Sequence, residues 1–208
     1  MFNDKFGLTQ AVLEGRKTMT RRIIKCPRTF RGEWVAGFNI HRSPSDKKIV
    51  GFPCMYDADE REFDMGEILP KYELGEVVAI AQSYKDIGYN GEYSWVQDEI
   101  HYHRDRAAGW ANKMFVKVNL MPHHIEITGI KVERLQDISD EDCLKEGIIH
   151  AYTDNNGIKI YHTPHTKRGY LSTDVAQQAF SFLIDKVSGK GTWESNPFVF
   201  AYEFVLVD

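Results

Sequence analysis

Residues 198–207 constrain the fold more than any other stretch of the chain. Phe198, Phe200, Tyr202, Phe204 and Leu206 alternate with Val199, Ala201, Glu203 and Val205. A period of two, with rings on one face, specifies a β-strand whose register cannot slip by one residue without reversing both faces. Such a strand needs partners, and the sequence offers several. Residues 72–81 contain a turn at Gly75 followed by a β-branched run, which predicts a buried strand. Residues 125–132 alternate as well, but the apolar phase moves from odd to even positions at Gly129, predicting a bulge or bend there.

Helical signals lie between these strands. Leu8 to Glu14 reads as a short helix stopped by Gly15, which suits a left-handed residue. Ser139 and Asp142 have capping-box spacing, acids crowd the first turn, and Gly147 closes that helix. Asp174 is the expected cap of a third helix through Val187, striped by Phe180, Leu183, Ile184 and Val187. Strands that outnumber helices and lie far apart predict an α+β fold, a small mixed barrel or curved sheet with helices at its ends. Residues 26–70 lack periodicity and read as surface loop, with a solvated charged run from Asp57 to Asp64. Residues 84–121 are aromatic but weakly periodic and read as an insertion with a short hairpin. The organisation expected is one domain over 1–208 carrying these two insertions.

Composition narrows the function classes. Net charge is −4, which disfavours non-specific binding to long nucleic acid while allowing a local basic groove. Cys26, Cys54 and Cys143 form no C-x-x-C pair, pointing to a reducing compartment. No apolar leader or membrane-length run is seen, so a cytoplasmic location without membrane contact is expected. The pairs His101/His103, His123/His124 and His162/His165 match no zinc spacing, so neither metal nor cofactor is expected.

The densest chemistry is Gly15-Arg16-Lys17-Thr18-Met19-Thr20-Arg21-Arg22, placed on a helix-to-strand turn. A lysine desolvated beside arginines has a lowered pKa and is a candidate to take the proton of Thr20, a weak nucleophile by itself. Arg16, Arg21 and Arg22 offer forked donors for phosphate or carboxylate, or else pair with nearby acids such as Asp137, Asp140 and Glu141. Glu146, at a helix C-terminus, faces the negative end of the dipole, which tends to raise a carboxyl pKa and suits a general acid or base. Trp193, with Asn196 close by, offers a surface for stacking on a base or else a lid over the barrel core.

Leu13 to Arg22 resembles the opening motif of ASCH-domain proteins, which share the PUA-like β-barrel. Gly75-Glu76-Val77-Val78, Ile130 to Ser139, Glu146-Gly147 and Trp193 to Phe200 resemble the larger ASCH proteins of phage and prophage. The resemblance covers both ends and the middle of the chain and is weak over 26–70 and 84–121. It implies a PUA-like mixed barrel with flanking helices, binding RNA or a modified nucleobase. Small bacterial ASCH enzymes hydrolyse the acetyl amide of N4-acetylcytidine with a lysine, a threonine and a glutamate. The resemblance places these on Lys17, Thr20 and Glu146, while Arg21 departs from the apolar neighbour of those enzymes. Three readings follow: a nucleobase or RNA recognition domain, an amidohydrolase, or an accessory protein whose aromatic insertion docks on another protein.

Overall fold

The computed structural model describes residues 2–88, 109–164 and 169–207. At its centre is the strand expected at the end of the chain. This strand, β12 (Phe198–Val207), lies between β1 (Met19–Ile23) and β8 (His124–Arg134), with β7 (Val77–Ala79) beyond β8. All pairings in this four-stranded sheet are antiparallel. The sheet curls into half a barrel, giving a mixed α+β fold.

Because β12 is central, both of its faces are covered. Phe200, Tyr202 and Phe204 join Val12, Ile24, Ile80, Ile125 and Ile127 in one core cluster. Val199, on the opposite face, joins Leu135, Ile138, Cys143 and the inner stripe of α4 (Ala176–Ser188) in a second. The stripe consists of Phe180, Leu183 and Ile184, with Val187 packed at its edge. The sheet therefore separates two hydrophobic layers, each supplied by one phase of the alternation in β12.

The phase change in β8 is a bulge. Glu203 pairs with Gly129 and Phe204 with Ile127, so Thr128 is the extra residue. Gly129 faces Glu203 so closely that a Cβ would lie 3.1 Å from the Glu203 carboxylate. Glycine lets the two strands approach at that point.

Three expectations are corrected. Residues 72–81 do not form a buried strand: β7 pairs with β8 alone and is an edge, leaving Val77 56% exposed. Residues 26–70 are more than loop. They form a hairpin, β2 (Thr29–Phe30) and β3 (Glu33–Trp34), and a three-stranded meander of β4 (Gly37–Asn39), β5 (Cys54–Tyr56) and β6 (Glu62–Glu67). Phe38 and Phe52 anchor the meander edge-on against Phe198 and Phe200 of β12. Asp174 does not cap α4; Val175 occupies the cap position without a side-chain bond, and its N–H donates to the Thr173 hydroxyl instead.

Within 84–121 the described parts are α2 (Tyr84–Gly88) and two 3-10 turns, Lys113–Phe115 and Val118–Leu120. The expected hairpin, with His101 and His103, lies outside the described residues. A third small sheet, β9 (Ile149–Thr153), β10 (Lys159–His162) and β11 (Ser172–Thr173), precedes α4. No helix among the described residues is long and apolar enough to cross a membrane.

The two-layer arrangement makes the phase of β12 decisive for stability. Phe204→Ala is expected to lose about 3–5 kcal/mol, as for a fully buried ring. Val205→Ala, at a side chain 45% exposed one residue on, is expected to change stability by about 0.5 kcal/mol. Urea denaturation of the two variants measures the contrast.

Candidate functional site

The basic turn is formed as its residues demand. In α1 (Leu8–Leu13) the buried residues Leu8, Ala11 and Val12 face the core, and the helix ends at Glu14. Gly15 then takes φ +69°, with nothing within 4 Å of a would-be Cβ, so it is backbone conformation that calls for glycine. Two backbone bonds stitch the turn down: Lys17 N to Ala11 O and Thr18 N to Lys145 O, both 2.9 Å. The second reaches the end of α3 (Asp140–Lys145) and brings Glu146 to the start of β1.

Lys17 points inward and is only 2% exposed. Its Nζ donates to Met19 O at 2.7 Å, Glu146 O at 2.9 Å and Glu146 Oε2 at 2.6 Å. All three ammonium protons are thus engaged. Burial pushes the Lys17 pKa below the ordinary lysine value; Glu146 opposes this, and the charges of Arg22 and Arg21 add to it. Glu146 is buried in this contact rather than being a solvated helix end. Gly147, at φ +107°, makes room for the arrangement: a Cβ there would meet Leu8 at 3.3 Å and Lys17 at 3.8 Å.

Arg21 is the second buried cation. Its Nε donates to Glu133 Oε1 at 2.8 Å, its Nη2 to Asp142 Oδ2 at 2.8 Å and its Nη1 to Glu146 Oε1 at 3.2 Å. Lys131 joins from β8, bonding the same Asp142 oxygen at 2.8 Å and lying 3.1 Å from Glu133. Three cations, Lys17, Arg21 and Lys131, therefore face three carboxylates, Glu133, Asp142 and Glu146. The register explains how they meet. Arg21 pairs with Ala201 of β12, and Ala201 pairs with Lys131. The small Ala201 side chain lets long side chains from the two flanking strands, β1 and β8, meet across β12. Burial alone would raise the Asp142 pKa, but hydrogen bonds from Lys131 and Arg21 overcome it and hold the carboxyl below its usual range. In Arg21 burial likewise works against the charge, and Glu146 and Glu133 outweigh it. Burial pushes the neighbouring Cys143 thiol up to about 12, which keeps it unreactive.

Ser139 caps α3 by accepting from Asp142 N at 3.1 Å. The reciprocal half of a capping box does not form, because the Asp142 carboxylate turns to Arg21 and Lys131. The acids that neutralise Arg21 are thus Glu133, Asp142 and Glu146, not the expected Asp137, Asp140 and Glu141.

Above this network lies a cavity of about 530 Å³, within the range of small-ligand sites. Lys17, Thr20, Arg21 and Glu146 line its polar side, with Arg22. Phe180, Leu183, Ile184 and Val187 of α4 form an apolar wall. Phe2, Asp4 and residues 111–114 complete the lining. Lys113 ties that last segment to the N-terminal residues, donating to Asp4 Oδ1 at 2.7 Å, to Thr9 Oγ1 at 2.9 Å and to Phe2 O. Thr20 lines the cavity beside Lys17, whose ammonium bonds go elsewhere.

Five of the eight sequence-derived candidates thus meet at one cavity: Lys17, Thr20, Arg21, Arg22 and Glu146. The other three do not line it. Arg16 is exposed and paired with Glu14, with Nε to Oε2 at 2.8 Å. Trp193 and Asn196 belong to the scaffold around α5 (Thr192–Ser195). Trp193 packs edge-on against Phe180, and its backbone N–H donates to Asp185 Oδ1 at 2.8 Å. Asn196 Oδ1 accepts from Gln136 N at 2.9 Å, and its carbonyl accepts from Arg134. Sequence reasoning missed Glu133, Lys131, Phe2, Asp4 and Lys113. The only available signal was for the first two: a lysine and a glutamate at alternate positions of one strand, and so on one face of it. Among the described residues no cluster of three or more His, Cys, Asp or Glu is arranged to hold a metal ion. His165, His101 and His103 lie outside the described residues. Comparison with family models, curated proteins and solved structures returns no match for this chain.

Removing one member of a buried ion network leaves its partners unpaired, so Arg21→Met is expected to destabilise by about 3–5 kcal/mol. Arg16→Ala, at the exposed pair, is expected to change stability by about 0.5 kcal/mol. Urea titration distinguishes the two. The network also confers acid sensitivity. Asp142 has a folded-state pKa below its unfolded value of about 3.9, so its contribution is intact above that pH and is lost as pH falls through the folded value. Unfolding midpoints measured from about pH 6 down to pH 2 should show this loss, and Asp142→Asn should flatten it.

Proposed function

We propose that the cavity recognises a single nucleobase or nucleoside, free or at the end of a short RNA, in a domain of the ASCH, PUA-like kind. The observation that carries the reading is the two-sided lining. One wall is a run of apolar side chains from α4 that suits the face of a flat ring. The other carries Thr20 and the Glu146 carboxylate, polar groups of the kind that meet a base edge. The resemblance of Leu13 to Arg22 to the ASCH opening motif supports the same reading, and net charge −4 favours a small ligand over an extended strand. Arg21 is committed to its three carboxylates, so it is not the anchor of a charged ligand group.

A second reading, hydrolysis of an acylated nucleoside such as N4-acetylcytidine, is favoured by the 2.6 Å contact between Lys17 and Glu146. As an ammonium, Lys17 has no lone pair for Thr20. On this reading one proton passes from Nζ to Glu146 Oε2, giving a neutral amine and a carboxylic acid; burial works against the ammonium form of Lys17. The amine then takes the Thr20 proton as Oγ attacks the acyl carbonyl. The carboxylic acid protonates the departing amine as the C–N bond breaks, and water releases the acyl group from Thr20.

Calorimetry with cytidine, uridine, adenosine and N4-acetylcytidine is expected to show saturable binding to one site. Thr20→Val should weaken it by about 2- to 10-fold, as for one neutral hydrogen bond. Absence of binding by every nucleoside would sink the recognition reading. Chromatography of the N4-acetylcytidine mixture separates the two readings. Release of cytidine that Thr20→Val abolishes establishes the hydrolase, and binding without release establishes recognition alone.

A further inference from the structure

One side of the cavity is built from chain that belongs neither to the central sheet nor to α4. It consists of residues 2–5 and residues 111–114. The first segment carries a 3-10 turn, Asp4–Phe6, and Gly7 at φ +62° joins it to α1. Among the described residues its backbone-to-backbone bonds stay local, within residues 3–11. The second segment lies in a surface stretch where Met114, Phe115 and Val118 are all exposed. Lys113 is the exception, its side chain only 12% exposed. It reaches the N-terminal segment and uses all three ammonium protons there, on Asp4 Oδ1 at 2.7 Å, Thr9 Oγ1 at 2.9 Å and Phe2 O. Thr9 in turn donates its hydroxyl proton to the same Asp4 oxygen at 2.5 Å. A cation this deep in an exposed stretch is tolerated only when paired, so the tie fixes where the stretch lies. The sheet does not need it: β1, β12, β8 and β7 are held by their own ladders and by the ion network around Arg21.

We infer that Lys113 is the catch of a two-part lid over the cavity. The N-terminal segment and residues 111–114 are the two leaves, and Lys113 clasps one to the other. Release of Asp4 and Thr9 frees both leaves at once. The first then turns about Gly7 and carries with it the Phe2 ring, which rests 5.6 Å from the Phe204 ring and 6.0 Å from the Lys17 ammonium. The clasp thereby sets how fast a molecule enters or leaves the cavity, whatever its chemistry. The inference rests on the cavity and not on the nucleoside reading.

The test measures access by thiol labelling, with no ligand present. Val187 lines the apolar wall, and Val187→Cys places a thiol of similar volume there. The chain supplies two reference rates: Cys26 is exposed, and Cys143 is fully buried outside the cavity lining. The probe is fluorescein maleimide, and mass spectrometry of the digested chain gives the rate at each thiol. In the Val187→Cys chain, Lys113→Met keeps the reach of the side chain and removes its donors. It is expected to speed labelling at position 187 by about tenfold or more, while the rate at Cys143 does not follow. Asp4→Asn should act in the same direction, because it removes the charge that holds the ammonium. The inference is overturned if the introduced thiol reacts as fast as Cys26 while Lys113 is intact, or if Lys113→Met leaves its rate unchanged. Acceleration of Cys143 in the same proportion also overturns it, since Lys113 then serves the stability of the whole fold and not the cavity mouth.

Discussion

The structure depends on burying two cations, Lys17 and Arg21, against three carboxylates at the junction of β1, β8 and α3, with the half-exposed Lys131 closing the network. Charges of this kind are tolerated in a protein interior only when paired and hydrogen-bonded, and Lys17, Arg21, Glu133, Asp142 and Glu146 satisfy one another closely. The consequence is geometric. A hydrophobic contact allows sliding, whereas a guanidinium bonded to three carboxylates at once holds two strands and one helix in one relation. The edge strand β1, joined to the sheet along only one side, is held in place by the side chains it sends across Ala201.

The same charges define the polar side of the cavity, so scaffold and site are not separable there. Glu146 gives one oxygen to Lys17 and the other to Arg21, and both cations line the cavity. Rings on the other side extend this coupling: the Lys17 ammonium and the Arg21 guanidinium each lie 6.0 Å from an aromatic centroid, Phe2 and Phe180 respectively. A site built in this way is held rigidly before any ligand arrives, and rigidity is what positions a base edge or a reacting carbonyl well.

Features set by local chemistry could be read from the sequence; features set by strand order could not. The period of 198–207, the stop at Gly15, the bulge beside Gly129 and the Ser139 cap each follow from a few neighbouring residues, and each is present. Val77 read as buried because its composition is that of an interior strand; nothing nearby reveals that β7 has one partner. The meander at 37–67 consists of strands three to six residues long, too short to show a period. Arg21 read as a ligand-binding residue because Glu133 lies 112 positions away and becomes its neighbour only through Ala201. Trp193 and Asn196 read as site residues because an aromatic near an amide resembles a base-stacking pair. Their partners, Asp185, Phe180 and Gln136, are set by tertiary packing.

Helix α4 serves two masters: Phe180, Leu183 and Ile184 belong to the core cluster and also wall the cavity. Filling the cavity therefore completes a core that is otherwise open on one side. Any molecule that binds there adds its binding free energy to the folding free energy, by RT ln(1 + [L]/Kd) for ligand in excess. The equilibrium stability of the folded chain then rises with the concentration of whatever molecule fills the cavity.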